Sequence, residues 1–242
     1  MVGDVLRKKP IDAAEEFVAS YFAGCQAAIL AGSVVRGEET VASDLDIVII
    51  DQCVPSSYRE SLLENGWPIE VFVHNLTSYQ EYVKGDCERA EPCLPKMVSE
   101  GIVIKDEGFV SSMKKEAEEI LSQGPKRWGK ETIDVKRYFI TDALDDFLAA
   151  EDRGEAIFSA NTLADLLHEF VLRTNGKWIG SSKWIVRSLK QFDDQFAKTF
   201  VDAFDAFYQF HEKNRVLILT ENVLRPYGGR LFEGFSSGKI NQ

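Results

Sequence analysis

Ala31-Gly32-Ser33-Val34-Val35-Arg36-Gly37, followed after a short link by Ser43-Asp44-Leu45-Asp46-Ile47-Val48-Ile49-Ile50, is the stretch whose reading decides the fold. Ala27 to Ala31 is a short apolar run that reads as a buried strand, closed by Gly32-Ser33. Leu45 to Ile50, rich in β-branched residues, reads as a second strand. Side chains alternate along a strand, so Asp44 and Asp46 project from one face. Two like charges that close repel unless something positive lies between them. Ile69-Glu70-Val71-Phe72-Val73 reads as a third strand, opened by Asn65-Gly66 and Pro68, and it poses the same problem. A lone carboxylate in a segment otherwise built for burial is expensive without a partner. If the second and third strands are neighbours, Asp44, Asp46 and Glu70 converge. One or two divalent cations would relieve the repulsion, and hard oxygen ligands suit Mg²⁺.

Gly32-Ser33 supplies the complementary half of a site. At a turn that leaves a strand, free backbone N–H groups and a hydroxyl face outward, and glycine lets a phosphate approach the backbone. Arg36, a turn further on, can add a charge-assisted hydrogen bond. A triphosphate held there would present its α-phosphorus to metals on Asp44 and Asp46, the arrangement for in-line nucleotidyl transfer.

Gly-Ser, ten intervening residues, Asp-x-Asp on an apolar strand and a third acid on a later strand resemble the motif of the polymerase-β-like nucleotidyltransferase superfamily. The layout is similar to the antibiotic nucleotidyltransferases that modify aminoglycosides and lincosamides, in which a small mixed α/β domain precedes a helical one. The resemblance implies that Gly32 and Ser33 bind nucleotide phosphates, that Asp44 and Asp46 hold Mg²⁺, and that Glu70 is the third carboxylate. In streptomycin-type members the acid matching Glu70 is also implicated as general base. In kanamycin-modifying members a helical-domain glutamate, with a lysine one turn later, takes that role. Glu169 and Arg173 have that spacing, with arginine in place of lysine. The resemblance also places the acceptor pocket in the helical domain.

Outward from this stretch, Pro10 to Phe22 has the apolar period of a helix, and Gly24 ends it. Helices are expected over Ser56 to Glu64, Ser78 to Glu88 and Val110 to Leu121, with a last strand at Ile102 to Ile104. The run Gln123 to Gly129 is the expected boundary. It separates an α+β, mixed-sheet nucleotidyltransferase domain over 1–122 from an all-α helical bundle over 130–242. In the second half Phe192, Phe196, Phe200, Phe204, Phe207 and Phe210 recur at the spacing of a core face. Tyr227 to Gly234 is expected to be a tail packing on the bundle. From Phe170 to Phe192 there are five basic residues and no acid, and Lys183, Arg187 and Lys190 share a helical face. Lys183 is the one expected to reach the triphosphate, against the alternative of a solvated face. Asp142, Asp145 and Asp146 read as exposed helical positions. His74 shares a face with Glu70 and is expected to line the site; His168 and His211 carry no metal-ligand spacing.

Charge narrows the partners. The chain of 242 residues has a net charge of −11, and residues 1–122 carry 11 basic and 22 acidic residues, so all the excess lies in the first half. An acidic face repels a phosphate backbone and attracts cations, which argues against nucleic acid and for metal ions or a small cationic acceptor. No apolar run approaches the ~20 residues of a bilayer span. Met1 to Pro10 lacks the apolar stretch of a secretory leader. Four scattered cysteines without a CxxC pair fit a reducing cytoplasm. The expectation is a cytoplasmic, Mg²⁺-dependent, adenylyltransferase-type enzyme, monomer or homodimer. It would move a nucleoside monophosphate, AMP from ATP first, onto a hydroxyl of an aminoglycoside-like small molecule and release pyrophosphate. The alternatives are nucleotidylation of a protein or another metabolite, or a non-catalytic, antitoxin-like nucleotide-binding module.

Overall fold

The structure is a computed structural model that describes residues 7–238. Met1 to Leu6, part of the stretch read for a leader, lie outside the described residues, as do residues 239–242. The chain divides into two compact units, Met1–Gly124 and Pro125–Gln242. The first is a mixed five-stranded sheet with helices, the second is helical. Among the described residues no helix is long and apolar enough to cross a membrane, and the four cysteines are free.

In the first unit, α1 (Pro10–Tyr21) starts on a proline, whose missing N–H costs nothing in a first turn. It is followed by β1 (Ala27–Ala31), a 3-10 turn at Ser33–Arg36, β2 (Leu45–Ile50), β3 (Tyr58–Glu64) and β4 (Trp67–His74). Then come α2 (Leu76–Arg89), α3 (Cys93–Glu100), β5 (Ile102–Asp106) and α4 (Val110–Gln123). The sheet order is β3-β4-β2-β1-β5. Only β2 and β4 run parallel; the other pairs are antiparallel.

Period-two alternation sorts the sheet into two cores. On one face Leu30, Leu45, Ile47, Ile49, Ile69, Val71 and Val73 pack against Ala13, Ala14, Phe17 and Val18 of α1. On the other, Ala27, Ile29, Val48 and Ile50 pack against Tyr79, Val83, Leu94, Val98, Val110 and Met113 of α2, α3 and α4. Asp46 has the parity of Val48 and Ile50, and Glu70 that of Phe72. Both acids therefore lie on the face that α2, α3 and α4 cover, but they are only half-buried.

The helix expected over Ser56 to Glu64 is a strand. Asn65 (φ 52) and Gly66 (φ 78) form a two-residue turn that pairs Glu64 with Trp67 and zips β3 onto β4. Two consecutive positive φ values are the mark of the tight hairpin turn that Asn-Gly favours. β3 hid from a pattern search because it is an edge strand, exposed along most of its length, so it carries no apolar alternation. The helix expected from Ser78 starts two residues earlier. Asn75 caps it, its Oδ1 accepting from Ser78 N at 2.8 Å while Ser78 Oγ accepts from Asn75 N at 3.1 Å. The short α3 was not expected. The buried Asp86 carboxylate anchors its start by accepting from Leu94 N at 2.8 Å.

The second unit holds α5 (Lys130–Ala149), α6 (Arg153–Thr174), α7 (Lys183–Phe192), α8 (Asp194–Phe210) and α9 (Lys213–Leu224). Ile140, Leu144, Phe147, Leu163, Leu167, Phe170, Phe207 and Val216 are buried in it. The glycine-rich tail lies along α5: Arg137 Nε donates to Gly229 O at 3.0 Å, and Leu231 N donates to Thr141 Oγ1 at 3.0 Å. The phenylalanine stripe is a core face only in part. Phe200, Phe204 and Phe207 are buried, whereas Phe210 is 66% exposed at the last helical position before the left-handed His211. Phe147→Ala, which removes a ring meeting Phe207 edge-on at 4.8 Å, is expected to cost about 3–5 kcal/mol in urea unfolding. Phe210→Ala should stay within about 0.5 kcal/mol of the parent.

Candidate active site

β1 ends at Gly32, whose φ of 85° and ψ of −161° belong to a region that only glycine occupies without strain. Proximity demands glycine there too, because a Cβ at residue 32 would press on the Asp46 carboxylate, with Asp46 Cγ at 3.1 Å. The antiparallel register of β1 and β2 sets Ala31 opposite Asp46 and so creates this contact. Ser33 opens the following 3-10 turn. Its hydroxyl donates to Ser43 Oγ at 3.1 Å, and Ser43 Oγ in turn accepts from Thr40 N at 2.8 Å. The link between turn and strand is thereby folded back onto Ser33, immediately ahead of Asp44. Ser43 is thus a structural partner of the turn, which sequence inspection did not single out.

The parallel pairing of β2 and β4 sets Asp46 directly beside Glu70. Asp44, Asp46 and Glu70 each offer an oxygen, and these three atoms all lie within 4.8 Å of one another. The half-buried trio has the chemistry of a divalent-cation site: hard oxygen donors, concentrated negative charge and an exposed side for further ligands. Burial and the neighbouring charges together act on Asp46, whose carboxyl is pushed up to about 6. Burial is the main cause, followed by the charges of Asp44 and Glu70, while the guanidinium groups of Arg59 and Arg36 pull the other way.

Arg59 is the site residue that sequence reading missed. It stands on β3 opposite Phe72, places its guanidinium over that ring at 4.8 Å, and donates from Nη2 to Glu70 Oε2. The Asn65-Gly66 hairpin was the signal that could have found it, since folding β3 back from that turn sets Arg59 two residues along from Glu70's partner Ser61. Arg36 is held by Glu38 and Glu100, each at 3.2 Å. Lys96 of α3 is close enough for Arg36 to add to the burial that lowers its pKa. His74 does not join the trio. It is buried at the end of β4 with its ring edge-on to Tyr82 at 4.9 Å, and burial lowers its pKa.

Lys183 and Glu169 belong to the second unit. Lys183 is an exposed residue at the start of α7. The Glu169 carboxylate on α6 accepts from Lys136 Nζ of α5 at 2.5 Å, a partner not apparent from spacing. Arg173, one turn on, is buried; its Nη2 donates to Lys126 O at 2.7 Å and its guanidinium lies over Trp128 at 5.0 Å.

The elevated Asp46 pKa carries a signed consequence for stability. The folded protein, free of divalent ions, takes up a proton between about 6 and the ordinary 3.8 that the unfolded chain does not. This group's contribution therefore becomes more favourable as pH falls through that window, and its ionised form destabilises the fold above it. In EDTA at pH 7.5, Asp46→Asn should be more stable than the parent by about 1–3 kcal/mol, and the gap should close by pH 4. Denaturant titrations at the two pH values check both. Gly32→Ala is expected to lower stability by about 1–3 kcal/mol through backbone strain alone, read as a lowered melting temperature.

No family model matches this sequence, and no curated protein matches it. Among solved structures, the chain is similar to a nucleotidyltransferase-like protein from Exiguobacterium sibiricum, at 13% identity and a TM-score of 0.47, over 89% of this chain and 74% of that one.

Proposed function

We propose that the chain is an Mg²⁺-dependent nucleotidyltransferase that transfers a nucleoside monophosphate, AMP from ATP in the first instance, to a hydroxyl of a small molecule. The observation that carries this reading is the convergence of Asp44, Asp46 and Glu70 within 4.8 Å beside a glycine turn pressed against Asp46. Carboxylates held partly out of water and close together, to the point of raising one pKa, are a standing electrostatic cost, and a divalent ion is the species that offsets it. When bound, the ion would polarise the phosphoryl oxygens and stabilise the charge that develops on the leaving pyrophosphate.

The chain's own residues supply positioning. The backbone that leaves Gly32 and the Ser33 hydroxyl receive the β- and γ-phosphates, and Arg36 adds a cation at the same turn. Asp44 and Asp46 would hold the ion. Glu70 completes the site or takes the proton from the acceptor hydroxyl; a carboxylate has lone pairs enough to do so beside Arg59. The helical unit is assigned the acceptor, with Lys183 as a phosphate contact. Glu169, neutralised by Lys136, is the weaker candidate for the base. The excess acidity of residues 1–122 favours a cationic acceptor of the aminoglycoside kind.

The test is intact-mass and pyrophosphate-release measurement with each of four nucleoside triphosphates and Mg²⁺. Aminoglycosides, lincosamides and a cell lysate serve as acceptors, with Asp44→Ala as the blank. A nucleotidylated small molecule is expected, and Asp46→Asn should lower its formation about a thousandfold or more, the loss of several kcal/mol of charge stabilisation. Label confined to lysate protein would move the acceptor to a polypeptide. Nucleotide binding without transfer would replace the enzyme by a binding module.

A further inference from the structure

The ion pair between Arg59 and Glu70 places a fixed positive charge at the rim of the acidic trio. Two features make it more than a chance surface contact. Arg59 is held from both sides, by the carboxylate it donates to and by the Phe72 ring beneath its guanidinium at 4.8 Å. Its backbone is also fixed, because the hairpin register sets Arg59 opposite Phe72 and Ser61 opposite Glu70. A guanidinium over an aromatic face keeps its planar fork available, which a lysine ammonium in the same place would not.

Resting on the nucleotidyltransferase reading, we propose that Arg59 is a built-in counter-ion that keeps the trio's affinity for a divalent cation low until nucleotide arrives. Three ionised carboxylates present a charge of −3, and Arg59 reduces it to −2. A triphosphate brings its own negative charge and competes for the guanidinium, so the ion is drawn in together with nucleotide. The charge balance alone accounts for the direction. At the dielectric constant of water, a unit charge about 6 Å from a divalent ion changes its binding by about tenfold, and by more where the site is partly desolvated.

The experiment measures Mn²⁺ binding to the nucleotide-free chain by electron paramagnetic resonance, with Arg59→Gln, Arg59→Lys and Asp46→Asn beside the parent and circular dichroism as the check on folding. Arg59→Gln is expected to bind Mn²⁺ about tenfold or more tightly than the parent. Arg59→Lys, which keeps the charge, should stay within about threefold of the parent; a merely structural role for the guanidinium would instead make the two substitutions behave alike. In the parent, ATP should tighten Mn²⁺ binding more than it does in Arg59→Gln, after correction for Mn²⁺ held by free ATP. Binding in the parent that is lost in Asp46→Asn but unchanged in Arg59→Gln would overturn the role of Arg59 and leave the nucleotidyltransferase reading standing. No binding in the parent or in Arg59→Gln, with or without ATP, would overturn both.

Discussion

Repulsion among Asp44, Asp46 and Glu70 is the constraint around which the first unit is arranged. The parallel pairing of β2 with β4 sets Asp46 beside Glu70, and alternation along the strands sends both carboxylates to one face. Apolar residues of the same parity, Val48 and Ile50, go under α2, α3 and α4, so those helices must stop short of the acids if the carboxylates are to keep any water. The half-burial of the trio is the compromise: enough exclusion of solvent to raise the Asp46 pKa, enough exposure for a ligand to reach it.

The neighbouring turn is subordinate to the same feature. Gly32 has room for no side chain because the Asp46 carboxylate occupies the space a Cβ would need, and its backbone conformation is one that a side chain would strain. The Gly32-Ser33 turn and the acidic centre are thus brought together by the direct pairing of β1 with β2. The Ser33–Ser43–Thr40 hydrogen bonds tie the intervening link to the turn, so the spacing between Gly32-Ser33 and Asp44 has a geometric meaning.

In the second unit the helices pack through aromatic and aliphatic residues, and several of its charged groups pair with one another. Lys136 meets Glu169, while Arg137 meets Asp134 and the tail backbone. Such pairs reduce how many of its cations remain for a phosphate. Between Phe170 and Phe192, Arg173 is likewise taken up, by Lys126 O and the Trp128 ring, so a count of basic residues there overstates what is left for a ligand.

Local pattern alone determined β1, β2 and β4, the shared face of Asp44 and Asp46, the odd carboxylate at Glu70 and the change from sheet to helices in mid-chain. Each depends on residues a few positions apart, where alternation and helical period act. Tertiary structure decided what depends on partners distant in the chain. The adjacency of β2 and β4 brings Glu70 to the aspartates across more than twenty residues. The edge strand β3 has its hydrogen bonds on one side and water on the other, and so shows no pattern of its own. Arg59 is on a site and not on a helix face only because that edge strand folds back. Likewise, Glu169 meets Lys136 because α5 and α6 lie side by side, a pairing that spacing within α6 could not express. A single segment specifies which way its side chains point; which charges those side chains meet is settled by the neighbour the fold supplies.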